Sequence, residues 1–378
     1  MPSRTARVRG LARFPPPGTS LNPCLDLLDE GLAGVGVEVV SDPELTAGWL
    51  WRSRASVGLV HFHWRADRHY ACLGQPLDEH TVERPRLQGP RSWLKLLLFA
   101  ARLGLARALG YRLAWTIHEV YPNETALRPP GAISRRLDRI GGRLLARFSD
   151  AVLAHDQGTA RRARAELGLE RVAVVPHGSY VGVYGRGRSR AEVRASLGIP
   201  AGAFTFLCFG DLRPDKALDL VLSAFGALAG PDAVLVVAGR VKDERSHSRL
   251  LASAAGDARI RPFLGEVPHE RVAELFGAAD AAVLGRGEVW TPGSLILALS
   301  LGLPVVAARV SVHQELLGEE AGWLFEPGDA ESLRGVLEAA MTDPVRARAK
   351  GEAALARARQ LPTWRELGEP VAALTFGS

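Results

Sequence analysis

Two cations stand three residues apart where a buried strand is followed by a helix. The apolar run 205–209 is typical of a buried strand, Gly210 permits a tight turn, and the apolar spacing of residues 218–225 predicts a helix. Arg213 and Lys216 lie in the polar loop between them. Such a pair could bind a phosphate or diphosphate together with the amides that begin the helix, or it could be two ordinary surface cations beside neighbouring aspartates.

A second loop suited to anions follows the predicted strand 281–284. The residues before the next predicted helix, 295–301, combine small side chains with two hydroxyls: Thr291, Pro292, Gly293 and Ser294. Free backbone amides at a helix N-terminus attract negative charge, so this loop predicts a second anion contact in the same half of the chain. Gly239 and Gly265 end two further strands in the way that Gly210 does.

Histidines end predicted strands in the first half of the chain. His118 follows an apolar strand, at the carboxyl end where parallel sheets place their chemistry, although a buried structural histidine fits the pattern as well. His61 and His63 share one face of the strand 57–63, as a metal-binding pair would. No third ligand stands at a suggestive spacing and no Asp-x-Asp motif ends a strand, so we expect no metal site.

The amino-acid composition limits the classes of protein to which the chain can belong. With 378 residues, 47% of them hydrophobic and 23% charged, the chain is long enough for two globular domains. The net charge of +6 suits phosphorylated substrates or an anionic membrane face, and the lack of zinc-finger or RNA-binding signatures argues against nucleic acid. Three distant cysteines and no signal-peptide or membrane-spanning segment predict a cytoplasmic protein, with peripheral contact to the inner membrane face left open.

Strands and helices alternate through both halves, a pattern that predicts an α/β fold with parallel sheets. We expect a first domain over residues 1–182, a second over 183–360 and a C-terminal helix over 361–378. Two long helices of the first domain, 93–113 and 133–148, are rich in arginine. Each fits a core helix whose arginines reach solvent, or an interfacial helix on an anionic membrane.

The order of these segments resembles a known family. The matching pieces are AWTIHE, FSDAVLAHDQGTARRA, VAVVPHG, FGDLRPDKALDLVLSAF, SLILALSLGLPVVAA and AGWLFEPGDAESL. Together they resemble the GT-B glycosyltransferases, in particular the large family 4 of retaining, nucleotide-sugar-dependent enzymes. The resemblance implies two Rossmann-like domains facing a central cleft, the first binding the acceptor and the second binding the nucleotide sugar. The implied reaction moves a sugar, without a metal ion, to a hydroxyl of a saccharide, a secondary metabolite or a lipid-linked acceptor.

The resemblance also implies roles for individual residues. Arg213 and Lys216 correspond to the cation pair on the donor diphosphate, and His118 corresponds to the histidine near the transferred sugar. Donor contacts are expected from a wider set: Gly18, Thr19, Gly210, Gly239, Glu266, Val267, Thr291, Pro292, Gly293 and Ser294. Acceptor contacts are expected from Ser20, Trp64 and His177.

One motif departs from the family pattern. The family usually carries two glutamates eight positions apart, one near the sugar and one on the ribose. Here those positions hold Val289 and Leu297, and Glu288, one residue from the first, is the remaining candidate for a catalytic carboxylate. The missing glutamates leave open a catalytically inert partner subunit that binds sugar nucleotides. The shared two-domain fold leaves open a second alternative, a nucleotide-sugar 2-epimerase.

Overall fold

The computed structural model describes residues 9–17, 23–64, 90–119, 132–185, 187–213, 216–241, 244–287 and 293–377. Within this part, the chain forms two compact units. The first unit contains the residues up to Gly178 and those from Pro362 onward, and the second contains Ser179–Leu361. No helix in the described ranges is long and apolar enough to cross a membrane.

The first unit is built on a parallel six-stranded sheet. Its elements are β1 (Arg9–Phe14), α1 (Cys24–Gly34), β2 (Val37–Val39), α2 (Ala47–Ser53), β3 (Val57–His63), α3 (Pro90–Ala108), β4 (Arg112–Ile117), α4 (Ala132–Phe148), β5 (Ala151–Ala154), α5 (Gln157–Leu167) and β6 (Ala173–Val174). A last helix (Gly368–Phe376), numbered α14 in chain order, completes the unit. The strand order is β2-β1-β3-β4-β5-β6.

Helices cover both faces of this sheet. Parallel crossovers are right-handed, so α1 lies on one face and the helices after β2, β3, β4 and β5 lie on the other. The contacts agree, because α2 packs on α3, α3 on α4 and α4 on α5, whereas α14 packs on α1. The strands bury apolar side chains on both sides, as Leu11, Val60, Phe62 and Trp115 do.

Two glycines allow α14 and the segment before it to approach α1 closely. A Cβ on Gly368 would lie 2.1 Å from the carbonyl oxygen of Gly31, and a Cβ on Gly31 would lie 2.7 Å from the carbonyl oxygen of Trp364. Any side chain at either position would collide with backbone. The backbone at the start of α14 and just before it therefore packs directly against the backbone of α1.

A buried arginine joins the carboxyl end of β1 to α1. Arg13 is only 1% exposed. Its Nε and Nη2 donate to Asp29 Oδ2 at 3.0 and 2.7 Å, Nη2 also donates to Asp26 Oδ1 at 2.9 Å, and Nη1 donates to the carbonyl oxygen of Pro15 at 2.8 Å. The guanidinium thus fixes the start of the segment that leaves β1.

The second unit repeats the architecture. Its elements are α6 (Arg190–Ser196), β7 (Phe204–Phe209), α7 (Leu218–Gly226), β8 (Ala233–Gly239), α8 (Glu244–Gly256), β9 (Ile260–Leu264), α9 (His269–Ala278), β10 (Ala281–Leu284), α10 (Gly293–Ser300), β11 (Val305–Ala308), α11 (Ser311–Leu317), β12 (Gly322–Phe325), α12 (Ala330–Thr342) and α13 (Pro344–Gln360). The sheet is parallel, in the order β12-β11-β10-β7-β8-β9.

The structure corrects some expectations about these elements. The basic helix expected over 93–113 begins at Pro90 and ends at Ala108, because Gly110 has a left-handed φ of +88° and β4 begins two residues later. The short helix α2 and the edge strand β12 have no counterpart among the predicted elements. Both are too short to show a clear periodicity in the sequence.

Candidate functional site

Three glycines end neighbouring strands of the second unit at one edge of the sheet. Gly210, Gly239 and Gly265 follow or close β7, β8 and β9, with φ of +110°, +135° and +108°. A Cβ on Gly239 would lie 2.0 Å from the carbonyl oxygen of Gly210, so only glycine fits there. Because the strands are parallel and adjacent, these turns open at the carboxyl edge, where open α/β sheets bind their ligands.

Lys216 and Ser294 meet at this edge. Lys216 follows β7, Ser294 lies in the first turn of α10, and Lys216 Nζ donates to Ser294 Oγ at 3.0 Å. Gly285, directly after β10, brings the two loops together, since a Cβ there would lie 3.0 Å from the carbonyl oxygen of Lys216. Ala217 adopts a left-handed φ of +51°, which is strained for a residue with a side chain and is found most often at functional sites.

Two further basic groups, absent from the sequence predictions, lie near Lys216. Arg286, two residues after the end of β10, is buried, and His313 on α11 is 1% exposed. His313 Nδ1 donates to the carbonyl oxygen of Ala308 at 2.9 Å. Burial, together with the positive charges of Arg286 and Lys216, lowers the pKa of His313 to about 4. The positive charges of Lys216 and Arg286 thus act on the same buried ring, and Lys216 lies at the start of α10, where an anion would be stabilised.

The remaining predicted donor contacts differ in what the structure says of them. Asp211, an aspartate beside the cation pair and not itself a predicted contact, accepts from Arg240 Nε at 3.0 Å. Glu266 is exposed and Val267 half-buried in the turn after β9, and Leu297 is buried within α10. Several candidates lie outside the described residues: Gly18, Thr19, Ser20, Glu288, Val289, Thr291 and Pro292.

The first unit brings five histidines into one row. They lie on β3 or within three residues after the ends of β4, β5 and β6, and these four strands are neighbours in the sheet: His61, His63, His118, His155 and His177. Successive ring centroids are 4.2, 5.5, 4.7 and 5.4 Å apart along this histidine row. The sequence shows each histidine at a strand end, but only the strand order shows that they are neighbours.

Hydrogen bonds fix most of these rings. His61 Nε2 bonds to Thr116 Oγ1 at 2.8 Å, and His63 Nδ1 bonds to His118 Nε2 at 3.2 Å. His155 and His177 donate from Nδ1 to backbone carbonyl oxygens, at 3.2 and 2.9 Å. Among the described residues, no three His, Cys, Asp or Glu side chains are placed to hold a metal ion.

Tryptophans enclose the histidine row. Trp64, directly after β3, has a left-handed φ of +62° and stacks on His118 with ring centroids 4.5 Å apart. Its carbonyl oxygen accepts from Trp115 Nε1 at 2.6 Å. Trp364 packs on His177 at 4.7 Å. His177 is only 4% exposed, and acceptor contact by Trp64 or His177 stays a prediction.

We expect acid to destabilise the first unit. Burial, reinforced by other basic groups, lowers the pKa of His61 and of His177 to about 3, from an ordinary value of 6.5. Below pH 6.5 the unfolded chain therefore binds protons that the folded unit does not, and stability falls as the pH falls towards 3. Each buried histidine should cost about 2 kcal/mol at pH 5, and the pair about 4 kcal/mol. Urea unfolding at pH 7 and pH 5 measures the difference in the free energy of unfolding between the two pH values.

Single substitutions isolate the histidine contribution. Between pH 7 and pH 5 the wild type should lose free energy of unfolding. His61→Gln should reduce that loss by about 2 kcal/mol, the share of one buried histidine. His269→Gln, at an exposed ring in the second unit, is the control and should leave the pH dependence unchanged. An unaltered pH dependence in His61→Gln would refute the assignment.

Family sequence models match both units. The model described as "Glycosyl transferases group 1" matches residues 189–357, and the model described as "Glycosyltransferase Family 4" matches residues 91–179. The two matches cover the strands, the glycine turns and the Lys216 loop of the second unit, and His118 of the first. The chain belongs to the family 4-like glycosyltransferases.

Individual relatives match the chain over part of their length. It is 32% identical over 152 residues to a GDP-mannose:glycolipid 4-beta-D-mannosyltransferase of Xanthomonas campestris pv. campestris, covering 39% of this chain and 42% of the relative. It is 30% identical over 228 residues to the lipopolysaccharide core biosynthesis mannosyltransferase LpsB of Rhizobium meliloti, covering 57% and 62%. The chain thus matches less than two thirds of either relative.

A solved structure matches over almost the whole chain. Anabaena Alr3699/HepE, in complex with UDP and glucose, superposes with a TM-score of 0.72 at 17% identity, covering 98% of this chain and 100% of that one. At this identity the match concerns the fold. With the two parallel six-stranded sheets, it confirms the α/β GT-B fold predicted from the sequence.

Proposed function

We propose that the protein transfers a sugar from a nucleoside-diphosphate sugar to an acceptor hydroxyl, with retention at the anomeric carbon. The observation that carries this proposal is the Lys216–Ser294 contact of 3.0 Å, which joins the loop after β7 to the first turn of α10. Arg286, whose charge acts together with that of Lys216 on buried His313, adds a cation to the same place. The second unit would therefore bind the donor through its diphosphate.

The chemistry requires stabilisation of a leaving diphosphate. Negative charge on its oxygens grows as the bond to the anomeric carbon breaks. Lys216 and Arg213 would neutralise that charge from the β7 side, and the amides of Gly293 and Ser294 would meet it from the start of α10. These groups are fixed before the reaction, and in this proposal no metal ion is needed. The complex of Alr3699/HepE with UDP and glucose supports a nucleotide sugar as the donor.

We propose a lipid-linked saccharide as the acceptor. The names of two relatives support this, since one acts on a glycolipid and the other in the biosynthesis of a lipopolysaccharide core. Both are named as mannosyltransferases, which makes a GDP-linked mannose the first donor to try. A buried Leu297 at the usual position of the ribose glutamate supports a donor site in which other groups bind the ribose.

A nucleotide screen tests the donor assignment. Thermal unfolding would be followed with UDP, GDP, dTDP and ADP, each free and linked to a sugar. We expect one base to raise the melting temperature, because a ligand at 100 times its Kd stabilises the native state by about 2.7 kcal/mol. The double variant Arg213→Ala/Lys216→Ala should lose the shift. Arg245→Ala, an exposed cation of the same unit, should keep it.

A transfer assay follows with the donor that binds. Release of the nucleoside diphosphate in the presence of glycolipid acceptors supports sugar transfer, and NMR of the product reports whether the anomeric configuration is retained. Epimerised sugar nucleotide in the absence of acceptor would favour the 2-epimerase. Binding without turnover on every acceptor would favour the inert partner subunit. A melting-temperature shift that persists in the double variant Arg213→Ala/Lys216→Ala would refute the diphosphate site.

A further inference from the structure

Helix α3 buries one stripe of its surface and exposes an apolar stripe on the opposite side. The buried stripe follows helical spacing, and its residues are at most 2% exposed: Ser92, Leu96, Phe99, Leu103 and Ala106. On the other side, Leu94, Leu97 and Leu98 are 59%, 65% and 47% exposed. Residues three and four positions apart share a helix face, so these three side chains form one leucine patch. A helix already anchored by a full buried stripe does not need this patch for packing.

Cations border the leucine patch. Arg91 and Lys95 are exposed on α3, Arg102 is half-buried, and the helix contains no acidic residue. Neither Arg91 nor Arg102 forms an ion pair within the ranges that the structure describes. The face therefore combines apolar side chains with two arginines, Arg91 and Arg102, that have no counterion among the described residues.

The neighbouring helix α4 presents a row of arginines. Four of them are exposed at helical spacing: Arg136, Arg139, Arg143 and Arg147. The acidic residue of α4, Asp138, is only 6% exposed. Because α3 and α4 pack on each other and on the same face of the sheet, their exposed sides point away from the sheet together. The arginine row thus lies beside the leucine patch.

Helix α2 adds an aromatic side chain to this layer. Trp51 is 57% exposed, and the guanidinium of Arg54 lies 3.8 Å from its ring centroid. Helix α2 packs against α3 on the side away from α4. Tryptophan and arginine are both suited to the boundary between water and lipid, where an aromatic ring can be buried while a charged group stays hydrated.

We propose that the exposed faces of α2, α3 and α4 bind the surface of an anionic lipid bilayer. The leucine patch would enter the boundary between headgroups and acyl chains, and the arginine row would contact lipid phosphates. Charge complementarity selects this occupant. A second copy of the chain would bring the same cations face to face in a symmetric contact, and nucleic acid would leave the leucines in water. The proposal does not depend on the sugar transfer proposed above.

Vesicle flotation with the full-length protein tests the proposal. We expect binding to vesicles of phosphatidylcholine with about one third phosphatidylglycerol, and at least tenfold weaker binding to phosphatidylcholine alone. Raising the salt concentration should weaken the binding, because it screens the arginines. Leu94→Gln/Leu97→Gln and Arg136→Gln/Arg139→Gln should each weaken it at least tenfold. All four positions are exposed, so the variants should fold.

Matched pairs in the second unit serve as controls. Leu251→Gln/Val345→Gln removes two exposed apolar side chains, and Arg346→Gln/Arg348→Gln removes two exposed charges. Both should bind vesicles as the wild type does. The proposal is overturned if wild type does not float, if the control pairs weaken binding equally, or if anionic lipid makes no difference. It is also overturned if the leucine variant only converts a dimer to a monomer in light scattering.

Discussion

Replacing Lys216 by alanine should lower the turnover number of sugar transfer by about 100- to 1,000-fold, the usual effect of removing one preorganised group that stabilises developing charge. The ammonium lies beside Ser294 Oγ at the start of α10, so its loss removes charge from the place where the diphosphate would leave. The free energy of unfolding should change by less than about 1 kcal/mol, since the side chain is only half-buried. Steady-state kinetics measure the turnover number, and urea unfolding of the same preparation measures the free energy of unfolding.

Companion variants separate charge from geometry. Lys216→Arg keeps the charge and should retain more activity than alanine, while Ser294→Ala removes the partner hydroxyl and should cost less than the loss of the charge. Arg245→Ala, at an exposed cation that faces Asp219 in the same unit, should behave as wild type. Normal turnover in Lys216→Ala would remove the basis for the proposed donor site.

The second large effect concerns stability. Arg13→Met should lower the free energy of unfolding by about 3–5 kcal/mol, because it leaves Asp29 and Asp26 without the guanidinium that neutralises them. Methionine keeps most of the side-chain volume, so the loss reports charge and hydrogen bonding more than an empty cavity. Urea unfolding at neutral pH gives the value.

An exposed pair in the same unit is the control. Arg365 lies 3.0 Å from Glu30, but its side chain is 78% exposed, so Arg365→Met should cost at most about 1 kcal/mol. Adding Asp29→Asn to Arg13→Met should recover part of the stability, since it removes the unpaired charge. Equal effects of Arg13→Met and Arg365→Met would show that burial does not set the strength of the Arg13 contacts.

The sequence was most informative where backbone geometry depends on single residues. The apolar runs predicted strands β7, β8 and β10, and Gly210, Gly239 and Gly265 do adopt the left-handed conformations that such turns need. The loop between β7 and α7 was recognisable because glycine, cations and helix follow in order. Each of these patterns lies within one short segment, so it can be recognised in the sequence without knowledge of the fold.

Features that depend on strand order were not predictable. His63 and His118 are 55 positions apart, and their 3.2 Å contact exists because β3 and β4 are neighbours. The same holds for His313, which lies near Lys216 through the pairing of β10 with β7 and β11. Arg286 did have a local signal, between two glycines after a strand, but its burial depends on the folded unit.

The close fit of Gly368 and Gly31 has a consequence for synthesis on the ribosome. The first unit includes residues from 362 onward, which are translated only after the whole of the second unit. Until then, α1 lacks the helix that covers it, and its apolar side chains remain accessible to chaperones. The unit that begins folding first is therefore the last to be completed.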